Sequence, residues 1–300
     1  MPQKRAKTLL LSAIMLILSN LSPAQSKEKP IIPDSLLQQR QPTQPTRPTQ
    51  QPRPTQPAQP KQNPIPTHEP EMVFVQGGTF TMGCTSEQGG DCYTWEKPAH
   101  QVTVSSFNIS KYPITQGQWK TIMGTTVRDQ RDKKNTTHQM RGEGDNYPIY
   151  YVSWDEAQEF IRRLNSATGK NYRLPTEAEW EFAARGGTKS KGYKYSGSNN
   201  LHNVAWHAGN QDYATRPVGT KIPNELGIYD MSGNVYEWCS DWFGDYSATA
   251  KRDPTGPSTG SARAIRGGSW NSHKDCRVAY REGITPSVRD DGIGFRVVLP

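Results

Sequence analysis

"NELGIYDMSGNVYEWCSDWFG", running from Asn224 to Gly244, carries more structural information than any other stretch of this 300-residue chain. A turn rich in Gly and Asn leads into a strand that holds two tryptophans, Trp238 and Trp242. Asp230 and Glu237 bracket it, and the backbone carbonyls between them can turn inward. Hard oxygen donors of this kind suit calcium. The same residues also admit a plainer reading, in which the tryptophans are core and the two acids cap turns. Spacing alone does not choose between them.

Working outward, two helices have clear start signals. Ser153 caps "SWDEAQEFIRRLN", where Glu156 completes a capping box and Ala157, Phe160, Ile161 and Leu164 line one face. Thr176 caps "TEAEWEFAARGG", with Glu179 completing its box and Gly186 as the stop. Further upstream, "MVFVQGGTFTMG" alternates around Gly-Gly and predicts a hairpin, and "HQVTVSSFNISKYPIT" repeats the pattern. Beyond Gly187 the chain reads mostly as loop, with isolated strand-like pieces in "RAIRGGSW" and "GFRVVLP". A stretch that long with so little regular structure needs metal ions or disulfides to order it.

The N-terminal region has a different texture. Lys4, Arg5 and Lys7 precede the apolar run "LLLSAIMLIL" (Leu9 to Leu18) and the small-residue exit "SPAQ". Residues 1–24 therefore read as a secretory signal peptide, too short to span a bilayer. Residues 25–71 are rich in Pro, Gln and Thr and predict an extended spacer. The globular domain is expected over 72–300. No cysteine at the exit points to a lipid anchor, no other stretch is apolar enough for a transmembrane segment, and a secreted, periplasmic or cell-envelope location is expected.

The formal net charge of +8 is misleading. Up to Glu71 there are nine Lys or Arg against four acids, which leaves only +3 for the remainder. A nucleic-acid partner is therefore not expected. The signatures H-E-x-x-H, G-x-S-x-G and the phosphate-cradling G-x-x-x-x-G-K are all missing. His207 and His273 read as solvated surface side chains. The four cysteines, Cys84, Cys92, Cys239 and Cys276, form no C-x-x-C pair, so a structural zinc is not expected.

Seven stretches, "MVFVQGGTFTMG", "YPITQGQWK", "YPIYYVSWDEA", "YRLPTEAEWEFAARGG", "NELGIYDMSGNVYEWCSDW", "RAIRGGSW" and "GFRVV", together resemble the formylglycine-generating enzyme (sulfatase-modifying factor) family in order and spacing. The resemblance implies an α+β fold, a C-type lectin-like variant low in regular secondary structure and stabilised by Ca2+. It places one calcium site on Asp230, the carbonyls of Gly233 and Val235, and Glu237, with Asp230 standing where the family has Asn. A second would begin at Asn203 and Val204 and use Asn210, in a segment shorter than in the catalytic enzymes.

At the catalytic centre the sequence departs from the family. Formylglycine-generating oxidases hold Cu(I) between two cysteines, as a soft ion requires. Here Ser269 of "GGS" is kept, Ser272 stands at the first cysteine position, and only Cys276 lies near the second. The resemblance thus implies the fold without the copper chemistry. It also brings the segments of Cys239 and Cys276 near one another, so that pair is expected as a disulfide. Cys84 and Cys92, closing the small loop "CTSEQGGDC", are expected as the other in an exported protein.

Non-catalytic relatives use the fold to display a C-terminal ligand-binding face. The segment after "GGSW" is rich in the polar and aromatic residues that suit adaptable recognition. Trp270, Asn271, Ser272, His273, Lys274 and Asp275 are the binding candidates, for a protein or glycan ligand. The alternatives are a copper oxidase acting on a sulfatase cysteine, or an envelope assembly component of the kind found in gliding and secretion systems.

Overall fold

The computed structural model describes residues 69–210 and 212–300. The signal peptide expected over 1–24 and all but the last three residues of the 25–71 spacer lie outside that range. Along the chain come β1 (Met72–Val75), β2 (Gly78–Met82), β3 (His100–Val104), β4 (Phe107–Ser110), α1 (Gln116–Met123), α2 (Val127–Lys133), α3 (Trp154–Thr168) and α4 (Glu177–Ala184). After them follow α5 (Leu201–Val204), β5 (Tyr236–Trp242), β6 (Lys251–Arg252), β7 (Arg263–Arg266), β8 (Arg281–Ile284), β9 (Ile293–Gly294) and β10 (Val298–Leu299).

Both expected helices form as their caps dictate. Ser153 accepts the N–H of Glu156 and Glu156 returns the bond to Ser153, while Gly169 closes α3 in the left-handed region. Thr176 and Glu179 reciprocate in the same way at the start of α4. The apolar face of α3 is the one read from the sequence, with Ala157, Phe160, Ile161 and Leu164 buried. By contrast α4 is buried all round, its three glutamates included.

The two expected hairpins are replaced by a single bent ribbon. Strand β1 pairs antiparallel with β4, and β2 with β3, so neither glycine-bend segment folds back on itself. Met72 faces Ser110 and Gly78 faces Val104 in one continuous register, interrupted where both arms bend. At the bend a side chain on Gly77 would come within 2.6 Å of the Val104 carbonyl oxygen. The Gly-Gly pair thus marks close backbone approach and not a chain reversal. Strand β10 extends one end of the ribbon and β6 the other. A separate four-stranded sheet, ordered β8-β7-β5-β9, carries the tryptophan strand at its interior.

Two large clusters and a smaller one around Cys276 fill the interior. One packs Trp119, Phe160, Phe295 and Trp238 together. The other packs Trp180, Phe182, Val102, Val104 and Cys239. Between and beside them runs a network of buried charge. Glu177 takes both ends of the Arg281 guanidinium at 2.6 and 2.7 Å, and Glu181 pairs with Arg266 and Arg185. Arg277 holds Glu96, and Arg296 holds Glu237, each through two hydrogen bonds.

Of the two expected disulfides, Cys84–Cys92 is formed. The Cys239–Cys276 pairing is overturned, because both are free and buried. Cys239 points from β5 into the cluster around Trp180, whereas Cys276 packs with Tyr195, Leu201, Val204 and Ala205. Alternation along β5 selects the face that Cys239 occupies, and that face is not the one Cys276 reaches. Burial raises both thiols well above their ordinary pKa, which keeps them protonated and unreactive. Alkylation without reduction, read by intact mass, should add nothing to the native protein and two adducts once it is unfolded. No adducts after unfolding would mean that a second bridge exists.

Candidate functional site

The segment expected to carry function leaves β7 at Arg266 and turns through Gly267 and Gly268, both at positive φ. A Cβ on Gly267 would sit 3.0 Å from the Trp180 ring, and one on Gly268 would sit 2.8 Å from the sulfur of Cys276. Only glycine permits this backbone conformation and this approach together. The turn delivers residues 269–276 over the end of β5.

The six candidate residues divide by burial. Trp270 is only 3% exposed. Its indole N–H donates to the Asp291 carbonyl at 2.9 Å, and the Arg141 guanidinium lies 4.7 Å from the ring centroid. Ser272 is buried as well, and its hydroxyl donates to the Tyr236 hydroxyl at 3.1 Å. Tyr236 in turn donates to Asp275 at 3.0 Å. Trp270 and Ser272 are therefore corrected from contact residues to anchors, since an aromatic this large gains most by burying its surface. Asn271, His273 and Lys274 are exposed, and Asp275 is half-buried.

Several neighbours were not legible beforehand. His207, expected in solvent, is fully buried, with its Nε2 3.1 Å from Nδ1 of His202 and its ring 5.4 Å from that of His273. Burial, and after it the two other histidines, hold its pKa down at about 4. Nδ1 of His207 accepts the N–H of Gly209, so the ring proton sits on Nε2, toward His202. That tautomer gives the trio no convergent lone pairs for a metal. Beside the disulfide loop, Tyr93 and Trp95 stack at 4.7 Å with 38% and 37% of their surfaces exposed, and Tyr93 meets Tyr280 edge-on. The aromatic string in "CYTWE" was the available signal for this pair.

The copper centre of the oxidases does not fit these residues. Ser269 and Ser272 place two hydroxyls 3.4 Å apart, and the nearest thiol, Cys276, is protonated and packed among apolar side chains. Hydroxyls are poor ligands for a soft ion. The expected calcium set at Asn203, Val204 and Asn210 does not fit either. The Asn203 carbonyl accepts the Ile222 N–H, and the Asn210 amide bonds the His207 N–H and the Ala205 carbonyl. The set has no carboxylate, and the Asn203 carbonyl and the Asn210 amide already serve other bonds.

The set on Asp230, Gly233, Val235 and Glu237 does fit a hard cation. Asp230 and Glu237 are both buried, and Arg296 is the cation paired with Glu237. Arg296 and the Trp180 indole use both places on Oε2 of Glu237 and one on Oε1, which leaves an acceptor position on Oε1. Asp230 accepts the Gly219 N–H at 2.7 Å, and its other oxygen has only a long contact of 3.4 Å from Asn234. Burial raises Asp230 to about 6. Asp230, Gly233 and Asn234 all have positive φ, so the backbone turns tightly between the two acids. Among the described residues no three His, Cys, Asp or Glu side chains converge; a hard cation held here would have two carboxylates and backbone oxygens to draw on.

The division between anchors and exposed residues is measurable. Trp270→Ala should cost roughly 3–5 kcal/mol of folding stability by denaturant titration. Asn271→Ala and Lys274→Ala should each stay within about 0.5 kcal/mol of the parent.

This geometry agrees with comparisons to known proteins. A family model described as "Sulfatase-modifying factor enzyme 1-like domain" matches residues 56–300. A serine/threonine-protein kinase, pkn1, of Chlamydia pneumoniae is 33% identical over 75% of this chain and 37% of its own length. This chain therefore spans little more than a third of that relative. A formylglycine-generating enzyme of Streptomyces coelicolor is 31% identical over 75% of this chain and 87% of its own. Among solved structures, variable protein 1 of Treponema denticola superposes with a TM-score of 0.65 at 30% identity, covering 76% of this chain and 94% of that one. The chain belongs to the sulfatase-modifying factor enzyme 1-like family, and its fold is the α+β formylglycine-generating-enzyme type that the seven motifs implied.

Proposed function

We propose that this protein is an exported binding module that recognises a protein or glycan through Asn271, His273 and Lys274, with Asp275 and the Tyr93–Trp95 pair at their side. The observation that carries this reading is the division within one short loop. Trp270, Ser272 and Cys276 are buried and hold the backbone, while the polar residues between them face solvent. A rigid base with a replaceable polar tip loses little conformational entropy on binding. Likeness to a variable protein supports a display role. The Ser272 hydroxyl at the first of the two copper-cysteine positions, with no counterpart at the second, argues against the enzymatic reading.

Export rests on the apolar run from Leu9 to Leu18 and on the Cys84–Cys92 bridge, which suits an oxidising compartment. Among the described residues no helix is long and apolar enough to cross a membrane. In this reading Asp230, the Gly233 and Val235 carbonyls and Glu237 hold a calcium ion that pins the turn before β5. Its contribution is charge neutralisation and stability, not catalysis.

Replacing Asn271, His273 and Lys274 with Gly or Ser, with Ser272 and Asp275 kept, should abolish binding on protein and glycan arrays while the thermal midpoint stays close to the parent's. Unchanged binding would remove the loop from the proposal. Separately, EGTA should lower the midpoint, calcium should restore it, and Asp230→Ala should eliminate the response. A midpoint indifferent to EGTA would show that Arg296 alone satisfies Glu237.

A further inference from the structure

We propose that the cavity at the N-terminal end of α4 is a second ligand site, for a small alkylammonium or guanidinium compound seated on Asp241. The cavity measures about 180 Å³, and Asp241, Glu177, Tyr246, His100, Trp242 and Pro257 contribute to its walls. None of residues 270–275 lines it. It is therefore separate from the loop described above.

The key observation is an uncommitted oxygen. Asp241 is only 3% exposed. Its Oδ2 accepts the Glu177 N–H at 3.0 Å and the Ser240 hydroxyl at 2.9 Å. Among the described residues Oδ1 has no hydrogen-bond donor, and Asp241 forms no ion pair. Gly256 faces it, where a Cβ would sit 2.8 Å from the Asp241 Cβ and 3.2 Å from Oδ1. That glycine, at a φ of +76°, keeps the space beside the carboxylate open. Oδ1 is open to the cavity, on whose wall Asp241 lies, so a donor seated there can reach it.

The surrounding charges select the kind of donor. The Arg281 guanidinium is consumed by Glu177, the Trp95 carbonyl and the Gly244 carbonyl. Arg263 lies between the Trp154 and Trp242 rings and donates to the Ser240 carbonyl. His100 bonds the Pro98 carbonyl and sets its ring against Tyr246. At the rim the exposed Asp245 and Lys251 offset each other. Arg263 and Arg173 also act on Asp241 without bonding it, Arg173 being held by Glu179, but after burial the Glu177 carboxylate is the largest influence on Asp241, raising it to about 7, and Glu179 adds to it. A cationic donor supplies both the missing hydrogen bond and the missing charge. The volume suits a compact molecule, since a cavity of about 150 Å³ admits benzene.

Isothermal titration of the full chain with n-butylamine and with ethylguanidine, using n-butanol as the neutral match, tests the assignment. Either cation should bind at pH 8, and n-butanol should not. Asp241→Asn should weaken cation binding about tenfold or more, by loss of a charged hydrogen bond. Should that variant fail to fold, the parent decides through pH. Because the cation requires the ionised carboxylate, its affinity should rise between pH 6 and pH 8. No cation binding, equal binding of n-butanol, an unaffected Asp241→Asn, or an affinity flat across that range would each overturn the proposal.

Discussion

The structure depends on pairing buried arginines with buried glutamates. Helix α4 is eight residues long and buried on every side, so its glutamates are almost wholly withdrawn from water. Charges in such surroundings persist only when each is matched and hydrogen-bonded. Glu177 and Glu181 are matched by Arg281, Arg266 and Arg185, which arrive from β8, from β7 and from the end of α4 itself. Arg277 reaches Glu96 across 181 residues of chain, and Arg296 reaches Glu237 across 59. These pairs are directional, which apolar contacts are not. A domain with short strands and long loops gains register from them: each loop has one place where its guanidinium finds two carboxylate oxygens.

That frame explains how a loop of polar residues can be held still. The turn at Gly267 and Gly268 lets the chain pass directly over Trp180 and Cys276, and Trp270 then locks the loop through Asp291 and Arg141. Asn271 and Lys274 are exposed and can vary with little effect on the packing beneath them, whereas the His273 ring lies 5.4 Å from that of buried His207. The same logic accounts for Ser272 and Tyr236. The Ser272 hydroxyl donates to Tyr236 and the Tyr236 hydroxyl to Asp275, a brace beneath the loop.

Much of the architecture was legible from local chemistry. The capping boxes at Ser153 and Thr176 specify their helix starts through bonds three residues apart, so no tertiary information was needed. The short disulfide loop was legible for the same reason. The errors share the opposite cause. The Gly-Gly pair in β1 and β2 was read as a reversal, because a local rule cannot see that a second strand bends at the same place. Cys239 and Cys276 were paired on proximity of their segments, whereas a disulfide needs their side chains on one face. His207 was placed in solvent because a lone histidine in a loop carries no mark of burial.

By itself the sequence determined the family, the two main helices, the bracketing acids of the turn before β5 and the place of the candidate loop after "GGSW". Each of these is written in contiguous residues whose spacing alone sets the geometry. Only the tertiary structure decided which members of the loop face water, that two thiols stay apart, and that Asp241 lies buried with one oxygen unclaimed. Those outcomes depend on what arrives from distant parts of the chain: Asp291 and Arg141 on Trp270, the separate clusters around each cysteine, and Gly256 beside Asp241. Burial is a property of the assembled neighbours, and no local pattern in the chain encodes it.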